Sequence, residues 1–368
     1  MGTTARTLAR GGAVVLCAVA AAVTGCGAGG GGEVSTDAGV WVEVDTGGSV
    51  TSVAAVGEGF VAAQDVSGAC EVLVSEDGVT WEGLDTGAVA GGERVSWMAG
   101  GSFGAAGEVL GGERPEVVVT TDGVTFTRTD PLGDLGIADV GIIGMAWGPA
   151  GVAVVLSRGG EPMGLALSED GRSWSRGALP GDLVDLGDPG ASPIAATDSE
   201  YLVRGFPDSE DNPGAQAWSS PDAASWRPEE ISPRYVGAIG SPVGWRSGFV
   251  VWGEDSDDPG PDDAVFTHRT WSSAGDGTWV ELEVSGVDII GGPIPVAGSS
   301  AGVFAVSWRA VYQELDVLFS PDLVTWRRWT QQEAFGTPSP DEVLWGSAAM
   351  GPTAVVVPIS GGLRVARL

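Results

Sequence analysis

Seven side chains are of the types that recognise ligands: Arg158, Arg204, Arg234, Tyr235, Trp308, Arg309 and Tyr312. A guanidinium pairs with a carboxylate through two parallel hydrogen bonds, which a lysine cannot reproduce. A tryptophan offers a flat apolar face for a sugar or a peptide. Arg234 adjoins Tyr235, Trp308 adjoins Arg309, and Tyr312 stands two residues before Glu314. Arginine and the aromatics dominate binding hot spots. The expected partner is therefore a glycan, a peptide or a protein, with Trp252 as a further stacking surface. Arginines that merely balance an acidic rim are the plainer reading of the same residues.

Other chemistry is thinner. The acidic runs Asp208–Asp211 and Asp255–Asp263 carry the hard oxygen ligands that calcium prefers, but not the spacing of a known calcium loop. Solvated acidic loops are expected there, and no metal site. His268 is the one histidine and lies in the strand-like stretch Val265–Trp271, so a structural role is expected. Three cysteines and one histidine leave no zinc spacing. No cofactor is expected.

Composition decides what must hold such residues in place. The 368 residues are 43% hydrophobic and 18% charged, enough apolar surface for a packed core. Glycine occurs 61 times and proline 22 times, so turns are frequent and an all-β class is favoured over long helices. All 18 basic residues are arginine, set against 49 acids, for a net charge of −31. Such a chain repels phosphate backbones, which excludes nucleic acid as a partner.

The beginning reads as an address. Arg6 and Arg10 precede an apolar stretch over residues 11–23, followed by Val23-Thr24-Gly25-Cys26. A basic region followed by a short apolar one is the pattern of a secretion signal. The four residues resemble the bacterial lipobox, which implies removal of residues 1–25 and lipidation of Cys26. Two acyl chains would anchor the protein on the extracytoplasmic side of the cell membrane. Residues 26–34 then form a glycine-rich tether. Cys17 leaves with the signal and Cys26 is acylated, so Cys70 has no partner for a disulfide.

From residue 35 to 368 one heptapeptide recurs. Five copies are regular: Ser75 to Trp81, Thr120 to Phe126, Ser168 to Trp174, Ser220 to Trp226 and Ser320 to Trp326. Ser273 to Trp279 has its acid one place late, and Ser35 to Trp41 has its glycine one place late. The starts lie 40, 45, 48, 52, 53 and 47 residues apart. A repeat of this length denotes one supersecondary unit stacked many times. The acid and hydroxyls suit a tight turn, the glycine a positive φ, and the aromatic the first position of the next strand. Around the first regular copy the strands read Val50–Val56, Gly59–Gln64, Cys70–Ser75 and Trp81–Leu84, and the order recurs down the chain. The last unit shows only Glu342–Ala348, Thr353–Pro358 and Leu363–Leu368, so the segment near Ser35–Val44 is expected to complete it.

These heptapeptides resemble the Asp-box, or BNR repeat, of sialidase-like β-propellers. The resemblance implies seven four-stranded blades, with the boxes joining third to fourth strands on the face away from the ligand. Asp77, Asp122, Asp170, Asp222 and Asp322 are then structural. The loops between second and third strands fall on the other face: Arg158–Gly164, Phe206–Gly214, Glu254–Asp263 and Trp308–Glu314. Sialidases clamp a carboxylate with three arginines and use a tyrosine nucleophile, a glutamate and an aspartate. Their Phe/Tyr-Arg-Ile-Pro signature is absent, and Pro293-Ile294-Pro295 lacks the arginine. The function read from the sequence is a non-catalytic binding module at the cell envelope. A sialidase-like glycoside hydrolase is the alternative, and an envelope assembly or maturation factor the second.

Overall fold

A computed structural model describes residues 41–87, 89, 92–112, 114–159, 161–181, 183–186, 191–207, 216–232, 235–256, 267–282, 293–309, 314–336, 343 and 347–368. Cys26, the apolar stretch before it and the tether lie outside the described residues, as does the heptapeptide beginning at Ser35 up to Trp41.

Seven antiparallel sheets stand in a ring as the blades of a propeller. The first is Ser49–Val56, Gly59–Val66, Ala69–Ser75 and Glu82–Leu84, ordered from axis to rim. The second is Arg94–Gly100, Ala105–Leu110, Glu116–Thr120 and Thr127–Thr129, and the third Gly141–Gly148, Gly151–Arg158, Glu161–Ser168 and Ser175–Gly177. In the fourth and fifth blades the inner position is split, into Leu183–Asp185 with Ile194–Ala196 and into Tyr235–Ile239 with Val243–Trp245. The fourth blade continues with Tyr201–Pro207, Gln216–Ser220 and Arg227–Glu230, and the fifth with Gly248–Ser256, Thr267–Ser273 and Trp279–Glu281. The sixth is Ile294–Ser299, Gly302–Arg309, Glu314–Ser320 and Arg327–Thr330. The last sheet joins Ala349–Met350, Ala354–Ile359 and Gly362–Arg367 to Trp41–Val44, with Trp41 opposite Ala366.

Strand alternation explains the core. Successive side chains point to opposite faces of a sheet, so each blade feeds the seams on both its sides. Phe60 and Ala62 pack with Val356 and Val365 of the last blade, while Val61 and Ala63 pack with Val95 and Val109 of the second. Seven buried clusters occupy the seven seams. The rim strands are short and each carries at least one charge, as in Arg227–Glu230 and Arg327–Thr330, which discourages edge-to-edge pairing.

Inner strands carry a recurrent irregularity. Their register against the second strand slips between Val50 and Ser52, Trp97 and Ala99, Ile142 and Gly144, Leu183 and Asp185, Val236 and Ala238, and Pro295 and Ala297. Each slip inserts one residue and sharpens the local twist. Among the inserted residues, Met98, Ile143 and Val296 are half-buried and pack on the core of the following seam.

Two sequence expectations need correction. Arg158–Gly164 is not a long loop: strands run to Arg158 and restart at Glu161, because Ser157 pairs with Pro162 and Arg158 with Glu161 in a tight hairpin. The inner strand of the last blade is Ala349–Met350, beyond the expected Glu342–Ala348, with Val343 making an isolated bridge to Ile359. Two five-residue helices, Pro131–Leu135 and Gln331–Phe335, occupy connections between blades. The first is capped by Asp130, whose side chain accepts from Gly133 N, and the second by a Thr330–Glu333 capping box.

Candidate functional site

The two ends of the axis are built differently. At one end lie the heptapeptide turns, and their aspartates share one hydrogen-bond scheme. Asp222 Oδ1 accepts from Ala224 N at 2.9 Å, Ser225 N at 2.7 Å and Ser220 Oγ at 2.9 Å. Asp77, Asp122, Asp170 and Asp322 accept from the equivalent amides at 2.6–3.2 Å. These donors favour the carboxylate, so Asp122 and Asp222 are held down to about 2, chiefly by their backbone amides. A carboxylate so engaged is a poor proton donor near neutral pH.

The inner strands also converge at this end. Gly57 N donates to Gly101 O and Gly101 N to Ala55 O, both at 2.9 Å, between the first two blades. A methyl on Gly244 would sit 2.2 Å from Ala196 O, and one on Gly298 2.3 Å from Gly244 O. Backbone therefore meets backbone from the fourth blade to the sixth, which only glycine permits.

The other end receives the loops between second and third strands and between blades. Arg158 is the last residue of its strand, Tyr235 the first of its strand, and Trp308 and Arg309 close the second strand of the sixth blade. All four stand at strand ends away from the heptapeptide turns, on the third, fifth and sixth blades. Arg234 and Tyr312 lie outside the described residues, and so do Asp208–Asp211 and the part of Asp255–Asp263 beyond Ser256. Arg158 is exposed and donates from Nη2 to Ala138 O at 3.0 Å.

Arg204 departs from the expectation. It is fully buried, and its Nη2 donates to Ala191 O at 3.0 Å. Alternation places it on the same face as Leu202, which belongs to the seam between the fourth and fifth blades. It is therefore part of the wall and not of an open ligand surface.

Other arginines lock strands together. Arg128 pairs with Glu93 at 2.6 Å and with Glu116, Arg328 with Asp316 at 2.8 Å, Arg269 with Glu281 at 2.5 Å and Arg364 with Glu43 at 2.6 Å. Four of these contacts join the third strand of a blade to its rim strand. At these four positions the arginines neutralise nearby acids.

Sequence reasoning passed over Glu254 as a partner of His268. His268 Nε2 lies 3.3 Å from Glu254 Oε1, and its ring lies 6.1 Å from that of Trp252 at 32°. The signal was available in the pairing of Glu254 with His268 across two strands, once the register is known. Two open clefts lie at the rim, one of about 270 Å³ beside Trp218 and Trp226 and one of about 420 Å³ beside Cys70 and Leu84. Among the described residues no group of three metal-ligating side chains converges, and no helix is long and apolar enough to cross a membrane.

No protein-family model matches the chain, and no curated protein matches it in sequence. Solved structures are similar to it. An ancestral GH74 enzyme is 11% identical, with a TM-score of 0.46 over 87% of this chain and 48% of its own. Hydrazine synthase of Kuenenia stuttgartiensis is 13% identical, with a TM-score of 0.47 over 89% and 97%. The Hadza microbial sialidase Hz136 is 14% identical, with a TM-score of 0.43 over 86% and 74%. The chain spans about half the length of the GH74 enzyme it matches. At these identities the likeness is one of fold alone.

Proposed function

We propose that this protein is a lipid-anchored propeller on the extracytoplasmic side of the cell membrane, binding a glycan, peptide or protein without turning it over. The binding surface is the mouth opposite the heptapeptide turns. One observation carries the reading: the turn aspartates are engaged by their own backbone amides, and the inner strands meet at glycine at that end of the axis. The opposite end presents strand termini bearing Arg158, Tyr235, Trp308 and Arg309. Residues on loops and strand ends are the usual carriers of recognition.

Burial of Arg204 weighs against the sialidase-like alternative. Arg246 is also lost to a three-arginine clamp at the mouth, because its Nη2 donates to Pro321 O at 2.8 Å near the opposite end. Hydrolysis of a fluorogenic sialoside by the protein tests the choice. The expected result is no turnover above buffer. Robust turnover abolished by Tyr235→Phe or Tyr312→Phe would replace the binding reading by the enzymatic one.

The anchor has its own test. Cys26→Ser is expected to release the protein from the membrane fraction or to block processing. A variant that stays membrane-bound and is cleaved normally rules the lipid anchor out.

A further inference from the structure

A cluster of ionisable groups lies on the heptapeptide face, at the seam between the fourth and fifth blades. Glu229, on the rim strand of the fourth blade, is buried. Its Oε1 accepts from Ser219 Oγ at 2.5 Å and from Arg227 Nη2 at 2.7 Å. Its Oε2 accepts the indole N–H of Trp279, from the fifth blade, at 3.0 Å. Trp174 and Trp226 make the equivalent bond across their own seams, to Thr129 Oγ1 at 3.0 Å and Ala178 O at 2.8 Å. Of these three acceptors only Glu229 is ionisable.

Glu200 comes up beside this contact from the turn between the first two strands of the fourth blade. A methyl on Gly275 would lie 3.3 Å from Glu200 Oε1, and one on Gly277 would lie 3.6 Å from both Arg227 Nη2 and Glu229 Oε1. Gly275 and Gly277 belong to the irregular heptapeptide of the fifth blade, in which Asp276 Oδ1 accepts from Thr278 N at 2.9 Å. The charged groups of the surrounding elements are Asp198 in the same turn as Glu200, Arg227 and Glu229 on the rim strand, and Asp276 in the facing turn. Arg246, in the turn behind Gly275, is directed to Pro321 O. Arg227 thus pairs with Glu229, and among the described residues it is the only cation that acts on Glu200 as well.

We propose that this seam is a proton-operated lock. With Glu200 neutral, the turn at Gly275 stays packed on the fourth blade and Trp279 keeps its bond to Glu229. With Glu200 ionised, two like charges compete for Arg227 and the turn loosens. Burial, then repulsion by Glu229, pushes the Glu200 carboxyl up to about 6, with Arg227 pulling the other way. The folded chain therefore keeps a proton that the unfolded chain has lost between the ordinary value of 4.5 and about 6. That stabilisation is present at acid pH and is lost as pH rises through this window.

Hydrogen exchange of the full-length protein, read by mass spectrometry from pH 4.5 to 7.5 and corrected for the intrinsic rate, tests the lock. Protection of residues 273–279 is expected to fall with a midpoint near pH 6, while the turn at residues 220–226 keeps its protection. Glu200→Gln should hold the protection at pH 7. Arg227→Gln should move the midpoint upward, because the compensating cation is gone. The same midpoint in Glu200→Gln, or protection that does not change with pH, overturns the proposal. Thermal melts of wild type and Glu200→Gln provide the second reading. The wild-type Tm should drop between pH 5 and 7 relative to the variant, and parallel profiles also overturn it.

Discussion

Tyr201 donates its phenol to Gly151 O at 2.6 Å and accepts from Ala150 N at 3.1 Å, pinning the fourth blade to the turn of the third. Tyr201 is 1% exposed, and its bond to Gly151 O is buried while that from Ala150 N is half-buried. Tyr201→Phe leaves a buried carbonyl and a half-buried amide without that partner, and should cost about 1–3 kcal/mol in chemical denaturation. Burial pushes the phenol up to about 12. In an absorbance titration Tyr201 should ionise well after an ordinary tyrosine, and loss of the late phase in Tyr201→Phe checks the assignment.

The fourth heptapeptide position is left-handed in every regular copy. Gly78, Gly123 and Gly171 have φ of 74, 72 and 71°, and Ala223 and Leu323 hold 53 and 62°. Gly123→Ala should cost about 1–2 kcal/mol, from that conformation alone. Gly171→Ala should cost about 1–3 kcal/mol more, because its methyl would lie 2.4 Å from Val119 Cγ2, against 3.2 Å to Val56 Cγ1 at Gly123. Equal losses in urea unfolding would show that the seam yields freely. Leu323 tolerates the strained φ because its side chain is buried between the fifth and sixth blades.

Asp222→Ala removes the acceptor of two turn amides and should lower Tm at pH 7 without affecting ligand binding at the far mouth. The wild-type carboxylate is held down to about 2, so its contribution is present above the ordinary value of 3.8 and is lost as pH falls toward 2. The Tm difference between variant and wild type should therefore shrink on acidification. A difference that stays constant from pH 7 to 2.5 contradicts the assignment.

Cys70 is half-buried, and burial pushes its thiol above the ordinary value of 9.0. Alkylation proceeds through the thiolate. Labelling by iodoacetamide at pH 8, read on the Cys70 peptide, should be slow in the folded protein and fast in denaturant. Equal rates would mean that the thiol is open to solvent.

Turns and blades were legible because they are local. The acceptor Asp222 and the amides of Ala224 and Ser225 lie within four residues, so the heptapeptide carries its own hydrogen bonds in the sequence. Apolar alternation marked the strands for the same reason, and spacing of the heptapeptides implied one blade per repeat. The seams are not local. Trp226 reaches Ala178 across 48 residues and Trp279 reaches Glu229 across 50, and no motif links those positions. Parity fails as well, because an inserted residue such as Thr51 or Met98 reverses which side chains face which neighbour. Arg204 shows the consequence. By residue type it belongs to a binding surface. Its place in the second strand of a blade packed on both faces makes it wall, and only the assembled ring determines that.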